Sequence, residues 1–477
     1  MKYYDVVIIG AGVTGAWISY ELGKRKCSVC VLEKESDICE GTSKANSAIV
    51  HAGYDPEPGS LMAKLNVRGN ELIRERNKRL SIPFKEIGSL VVAFDEEGMK
   101  KVEELYAKGK FNGVEGLKIL NREETLELEK SLNPNILGSL YASSGGICSP
   151  FELTLAPMSV AIRNGVTLLR STPLVSVEKE EGKFILNGEI ETPLVINAAG
   201  LYSSNVASLF GDSSFEIKPR KGEYSLLDKK SGGIVSHVIF QPPTSKGKGI
   251  LVTPTVDGNL LVGPNACDVD DKEDLDTTMS GQNEVFSGAK RSVPIINERD
   301  TITSFAGNRA VSNSKDFIIE FSTRVPNLLN VAGICSPGLT SAPAIAEYCV
   351  SLIEERGFKY EMKENYIDER KVIRLEEVTD DEKERLITIN PSYGRVICRC
   401  ETVTEGEIID SIRSECGATT VDGVKRRVRA GMGRCQGGFC SPRVMEILSN
   451  ELNLPFTSIT KKGGKSWFTI ARGGQND

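Results

Sequence analysis

Four thiols near the C-terminal end are spaced for a shared metal centre: Cys398 and Cys400 in C-R-C, then Cys435 and Cys440 in C-Q-G-G-F-C. Two close pairs, separated by enough chain for two short helices, can bring four thiolates together. Soft thiolates favour zinc or iron–sulfur over hard cations. At the other end, Gly10-Ala11-Gly12-Val13-Thr14-Gly15 has the spacing of a turn that lays backbone against a pyrophosphate. The chain has only two histidines. His51 follows a run of small and hydroxylated residues, where a base could take the proton of a substrate hydroxyl.

These groups need elements to hold them. Residues 4–9 form an apolar run broken only by Asp5, as expected of a parallel strand buried on both faces, and the glycine turn then feeds a helical pattern through Leu22. Gly10 permits the tight turn, Gly12 the close approach of a pyrophosphate, and Gly15 the packing of helix on strand. Residues 27–32 read as the next strand, with Glu33 at its end placed to accept both hydroxyls of an adenosine ribose. FAD or NAD therefore binds here. The segment 41–53, containing Thr42, Ser43, Asn46 and Ser47, lets backbone run along a long, bulky ligand, which favours the flavin. Cys27 and Cys30 point to opposite faces of a strand and read as core.

Composition sets the bounds. A chain of 477 residues, 40% hydrophobic and 26% charged, is expected to hold two or three soluble domains. A net charge of -6 argues against a nucleic-acid partner. No stretch has the run of about 18 apolar residues that a membrane span needs. Twelve cysteines without a secretion signal point to a reducing compartment. The cytoplasm is the expected location, with a peripheral membrane contact left open.

Over residues 1–355 the chain resembles the glycine/D-amino-acid oxidase superfamily of FAD enzymes. The resemblance rests on the Gly41-Thr42-Ser43 loop, the Asn197-Ala198-Ala199-Gly200 strand end, Val331-Ala332-Gly333, and the loop Ser336-Pro337-Gly338-Leu339-Thr340. It implies an α/β fold: a Rossmann-like FAD-binding domain built from separated segments (about 1–80, 141–215 and 300–358) interleaved with an antiparallel-sheet substrate domain (about 81–140 and 216–299). It also adds Val175, Ala199, Gly200, Gly333, Gly338, Leu339 and Thr340 to the flavin-binding set. Asp257-Gly258 gives the best hairpin signal. Residues 359–390 read as a charged linker or packing helix, 391–454 as a small helical metal domain, and 455–477 as a tail.

Residues 391–454 resemble the bacterioferritin-associated ferredoxin type of 2Fe-2S domain through Cys398-Arg399-Cys400-Glu401 and the run from Arg429 to Cys440. The version fused to anaerobic glycerol-3-phosphate dehydrogenase catalytic subunits and some amino-acid dehydrogenases is the closer match. A structural zinc is the alternative, although pairs one residue apart fit it poorly. Lys425, Arg426, Arg427, Arg429 and Arg434 are expected around the second pair, either raising the cluster's potential, docking an acidic electron partner, or forming a solvated basic face.

The superfamily resemblance places Arg309, in Gly307-Asn308-Arg309, over the flavin as the holder of an anionic substrate group; a planar charged fork suits carboxylate or phosphate. A salt bridge to Asp316 or Glu320 is its competing reading. Lys221 lies in a stretch similar to a strand lining the same pocket, His237 reads as a satisfied core or edge residue, and Cys335 as a buried neutral thiol. The expected activity is an FAD-dependent dehydrogenation of a small anionic secondary alcohol, foremost sn-glycerol 3-phosphate. Electrons would pass through the 2Fe-2S cluster to an acceptor protein, a quinone, a flavoprotein or other subunits of a complex. Three alternatives stand. His51-Ala52-Gly53-Tyr54 is similar to L-2-hydroxyglutarate oxidases, and Gly338 stands where membrane-type glycerol-3-phosphate dehydrogenases carry Lys. An amino-acid or amine dehydrogenase and a non-catalytic electron-relay subunit are the others.

Overall fold

The computed structural model describes residues 1–243 and 249–469. Its first layer is a six-stranded sheet in the order Thr167–Leu169, Val29–Leu32, Val6–Ile9, Val195–Asn197, Leu328–Ala332, Ile318–Phe321. The first five strands are parallel and the last antiparallel. All four residues of Val6–Ile9 and of Val29–Leu32 are buried, which explains their unbroken apolar character. Helix Val13–Gly23 is buried on every side, packed against helices Glu152–Arg163 and Gly338–Glu355. Its Trp17 satisfies the indole N–H on the Leu153 carbonyl at 3.0 Å.

A nine-stranded, mostly antiparallel sheet forms the second body. Its long strands Ile217–Leu227 and Thr301–Ser312 pair along their length, and helix Met279–Ser292 packs on Leu227, Val252 and Val262 to close a separate core. The hairpin at Asp257-Gly258 forms, with Val252–Pro254 paired to Leu260–Val262 and Gly258 at positive φ. One sequence boundary shifts. The sequence places residues 300–358 in the FAD-binding body, whereas the Thr301–Ser312 strand pairs with Ile217–Leu227 in the second sheet. Its alternation of small and polar residues suits a sheet with one face on a cavity.

The charged stretch 359–390 is not a free linker. Its first half straps the FAD-binding body, with Lys363 N–H on the Lys24 carbonyl at 2.8 Å and Arg370 on buried Glu152, and its second half is helix Asp380–Ile389. The C-terminal domain pairs strands Val396–Cys398 and Val403–Thr404 and packs helices Glu405–Arg413, Val421–Val428 and Ser441–Leu452 around Ile408, Val424, Val444 and Leu448. A reciprocal cap between Thr404 and Glu407 starts the first of these helices. The described part of the tail folds back, with the Ser36 hydroxyl on the Lys462 carbonyl at 2.9 Å. Among the described residues no helix is long and apolar enough to cross a membrane.

Candidate functional site

A continuous cavity of about 1140 Å³ runs from the carboxyl ends of Val6–Ile9 and Val29–Leu32 to the face of the second sheet. At its first end the chain is shaped for a phosphate. Gly10 has φ +103°, and a Cβ there would meet the Ala198 carbonyl at 2.6 Å; a Cβ on Gly15 would meet the Gly10 carbonyl at 2.0 Å. Helix Val13–Gly23 starts at Gly12 without a side-chain cap on that residue and without an acid in its first turn, so its positive end is left for an anion. Ser43 reaches over it, accepting the Val13 N–H at 2.9 Å. Glu33 is locked at the strand end by N–H groups of Ala11 (2.8 Å) and Glu35 (2.9 Å). Burial nonetheless raises its carboxyl above the ordinary range. A helix N-terminus with no acid in its first turn, an oriented carboxylate at the cavity wall and a cavity lined from that helix end to His51 together fit FAD.

Most of the sequence-identified flavin set lies on this wall: Gly10, Gly12, Glu33, Thr42, Ser43, Asn46, Ser47, Ala199, Gly200, Gly338 and Leu339. Gly15, Gly333 and Thr340 stand behind it. Gly15 is the helix–strand contact, Gly333 takes a positive φ in the turn before Cys335, and Thr340 accepts the His51 N–H at 3.0 Å. Val175 does not belong with them. Its side chain is 66% exposed, and its N–H bonds Asn187; the cavity wall in that stretch is Thr172, Pro173 and Leu174.

His51 lines the far end, where Nε2 sits 3.4 Å from the Ser336 hydroxyl. Its carbonyl accepts from Asn66 (2.9 Å) and Asn70 (3.1 Å), and its ring leans on Phe240. Backbone and ring are thus both fixed. Arg309 also lines the cavity. Its Nη2 donates to the Asn265 carbonyl at 2.9 Å, and no carboxylate among the described residues pairs with it, Asp316 instead accepting the N–H groups of Leu61 and Met62. A neutral partner holds the guanidinium without cancelling its charge.

Lys221 is turned away from the cavity. Strand alternation sends Arg220 and Tyr224 to the cavity wall and Lys221 to the opposite face, where it pairs with Asp274 at 2.8 Å. Tyr224, stacked on Phe305 with ring centres 4.8 Å apart, was missed; the same period-2 reading could have found it. Burial raises its phenol, and the Arg309 guanidinium and Ser47 hydroxyl draw it partly back. Cys335 is half-buried on the cavity wall, more accessible than its sequence reading. His237 is satisfied by Glu129 at 3.1 Å. The thiols of Cys27 and Cys30 are pushed up by burial to about 11 and about 12, as befits core residues.

The four C-terminal thiols meet as two pairs. Cys400 and Cys435 approach to 3.7 Å, and Cys398 bonds Cys440 in the buried half of the site. The Cys440 contact, helped by backbone N–H groups of Gly431, Glu401 and Cys400, lowers the Cys398 thiol to about 6, while Cys440 is raised. Cys435 is held down first by the Phe439 N–H and further by those of Gly437 and Gly438. Two thiol pairs, ringed by N–H donors aimed at sulfur, fit a two-iron cluster better than one zinc.

Much of the basic run near the cluster turns inward, Arg426 and Arg427 being buried, while Arg434 stays exposed. Arg427 grips Asp37 through both nitrogens (2.7 and 2.8 Å), and Arg426 bridges Asp37 (2.9 Å) and Glu40 (2.6 Å). Both arginines and Asp37 are buried. Burial works to raise the Asp37 carboxyl, but the guanidiniums of Arg427 and Arg426 outweigh it and hold it well below the ordinary range. Arg429 reaches Asp257 (2.6 Å) and Glu401 (2.8 Å), and Arg434 reaches Asp228 at 2.8 Å. The cations dock the cluster domain onto both bodies of the FAD module, and Asp37 and Glu40 lie in the segment leading into the flavin loop. No local sequence signal pairs acids near residue 40 with arginines near 427.

Comparison with known proteins agrees with this architecture. Residues 5–352 match the FAD dependent oxidoreductase family, and residues 396–450 match the BFD-like [2Fe-2S] binding domain. A glycerol 3-phosphate dehydrogenase of Caloramator mitchellensis is 48% identical over 462 residues, 96% of each chain. The structure of L-alpha-glycerophosphate oxidase from Mycoplasma pneumoniae, dithionite-reduced with FAD bound, is 33% identical with a TM-score of 0.75, covering 79% of this chain and 100% of that one. A mitochondrial L-2-hydroxyglutarate dehydrogenase of Caenorhabditis elegans is 28% identical, over 73% of this chain and 92% of that one. The chain belongs to the FAD dependent oxidoreductase family and carries at its C-terminal end a BFD-like [2Fe-2S] binding domain.

Proposed function

We propose that this enzyme oxidises sn-glycerol 3-phosphate to dihydroxyacetone phosphate and sends the electrons through its cluster to an external carrier. The observation that carries this reading is the 48% identity to a glycerol 3-phosphate dehydrogenase along 96% of both chains, cluster domain included. Arg309 is the anion holder in this reading: its charge faces the cavity uncancelled, so a phosphate can take the remaining donors of the fork. His51 accepts the proton of the C2 hydroxyl as the C2–H bond breaks with its electron pair and the carbonyl forms. Ser336 orients the ring, and Thr340, Asn66 and Asn70 hold its backbone. Bound FAD supplies the two-electron acceptor and the 2Fe-2S cluster a one-electron outlet.

The His51-Ala52-Gly53-Tyr54 stretch favours a second reading, oxidation of L-2-hydroxyglutarate. The two are separated by mixing the enzyme anaerobically with glycerol 3-phosphate, L-2-hydroxyglutarate or L-proline and following the flavin spectrum. Bleaching by glycerol 3-phosphate is expected; bleaching by another of the three alone overturns the proposal.

A further inference from the structure

The cluster domain has two unlike faces. Its inner face is committed to the FAD module through Arg426, Arg427 and Arg429. On its outer side Cys400 is exposed and Cys435 partly so, which brings this thiol pair close to solvent. Beside it stands Phe439, a bare aromatic 86% exposed between the ligand positions Cys435 and Cys440. Its place is what marks it, since it puts an apolar ring beside the most solvent-accessible thiols of the cluster site.

The charge around this edge is predominantly positive. Segments 395–402 and 429–443 carry five arginines, of which Arg429 belongs to the inner face, and one acid, Glu401, which is buried, although the whole chain has a net charge of -6. Arg399, between the ligand positions Cys398 and Cys400, is exposed and has no carboxylate partner among the described residues. At two of the three paired rim arginines the acid is turned inward, whereas Arg443 meets Glu446, itself 48% exposed. Arg395 is 60% exposed against 14% for Glu405, and Arg434 71% against 12% for Asp228. Solvent therefore meets guanidinium.

We propose that this edge, centred on Phe439 and Arg399, is the docking surface for a small acidic one-electron carrier protein. An apolar centre inside a predominantly basic rim is the pattern of a transient interface: the rim steers the partner and the aromatic seats it. The reduced cluster would lose one electron per encounter and the carrier would gain one.

The proposal rests on the redox reading of the cluster but not on the substrate, and its test uses no substrate. Oxidised holoenzyme is titrated with cytochrome b5, whose docking face is acidic, and with cytochrome c, whose face is basic, and binding is followed by calorimetry at low and high salt. Dithionite-reduced holoenzyme is then mixed with each and the haem spectrum followed. Cytochrome b5 is expected to bind with an affinity that falls as salt rises, and to be reduced faster than cytochrome c. Phe439→Ala and Arg399→Glu should each weaken both readouts about tenfold, the scale of one hot-spot contact, with flavin and cluster spectra unchanged. Arg443→Glu supplies a charge reversal away from the ligand positions if Arg399→Glu disturbs the cluster. Equal binding of the two cytochromes, or indifference to these variants, overturns the proposal. So does binding to anionic lipid vesicles, lost in the same variants, in place of cytochrome b5.

Discussion

Arginine does opposite work at the two ends of this molecule. In the flavin cavity Arg309 is held by a neutral carbonyl and keeps its charge for an anion. At the cluster domain Arg426 and Arg427 are buried against Asp37 and Glu40, and their charge is consumed in holding two domains together. Burial alone does not mark an arginine as functional or structural. What decides is whether a carboxylate already occupies its fork. A buried ion pair is weak evidence for stability, yet removing one member leaves an uncompensated charge.

The largest effect should come from the cavity. His51→Ala is expected to lower kcat with glycerol 3-phosphate by about 10²–10⁴-fold, the usual worth of a positioned base, while the fold is retained; rapid-mixing measurement of flavin reduction reads this directly. Full retained rate would end His51's role. At the clasp, Asp37→Asn keeps the shape but strands Arg427. Cluster-domain stability should fall by about 3–5 kcal/mol, seen as an early urea transition in cluster absorbance that precedes loss of the flavin signal. Its pH dependence sharpens the contrast. The folded Asp37 carboxyl titrates below its ordinary 3.8, so folding favours the ionised form. The difference between wild type and Asp37→Asn is whole above that value and closes as pH falls further; a gap that widens in acid contradicts the clasp. Arg309→Ala should cost about 10–100-fold in kcat/KM, from about 1.5–3 kcal/mol for a charge-assisted bond, with stability nearly unchanged.

Some of this was legible in the chain and some was not, for physical reasons. The glycine turn and Glu33 announce themselves because backbone approach and a parallel buried strand each leave a local signature. The thiol pairs do so because metal ligation demands fixed spacing. The clasp is silent: Asp37 and Arg427 lie 390 positions apart, and a basic run looks alike whether it meets water, a partner or a distant acid. Val175 failed because the cavity wall ends at Leu174, a shift no local property of the segment shows.

Lys221 failed by one residue, and that failure carries the smallest expected effect. In the Ile217–Leu227 strand, side chains alternate faces, so the cation seen by substrate belongs to 220 or 222, not 221. Lys221 is instead paired with Asp274, whose carboxyl that contact lowers. Arg220 reaches the cavity but is answered by Asp268 at 2.6 Å. Arg309 is thus left as the cation on these two paired strands that lines the cavity without an acid. Lys221→Met should therefore change KM for glycerol 3-phosphate by less than about threefold, within the ±0.5 kcal/mol expected away from a site. A loss as large as that of Arg309→Ala would put Lys221 back on the substrate and require the strand to present its other face.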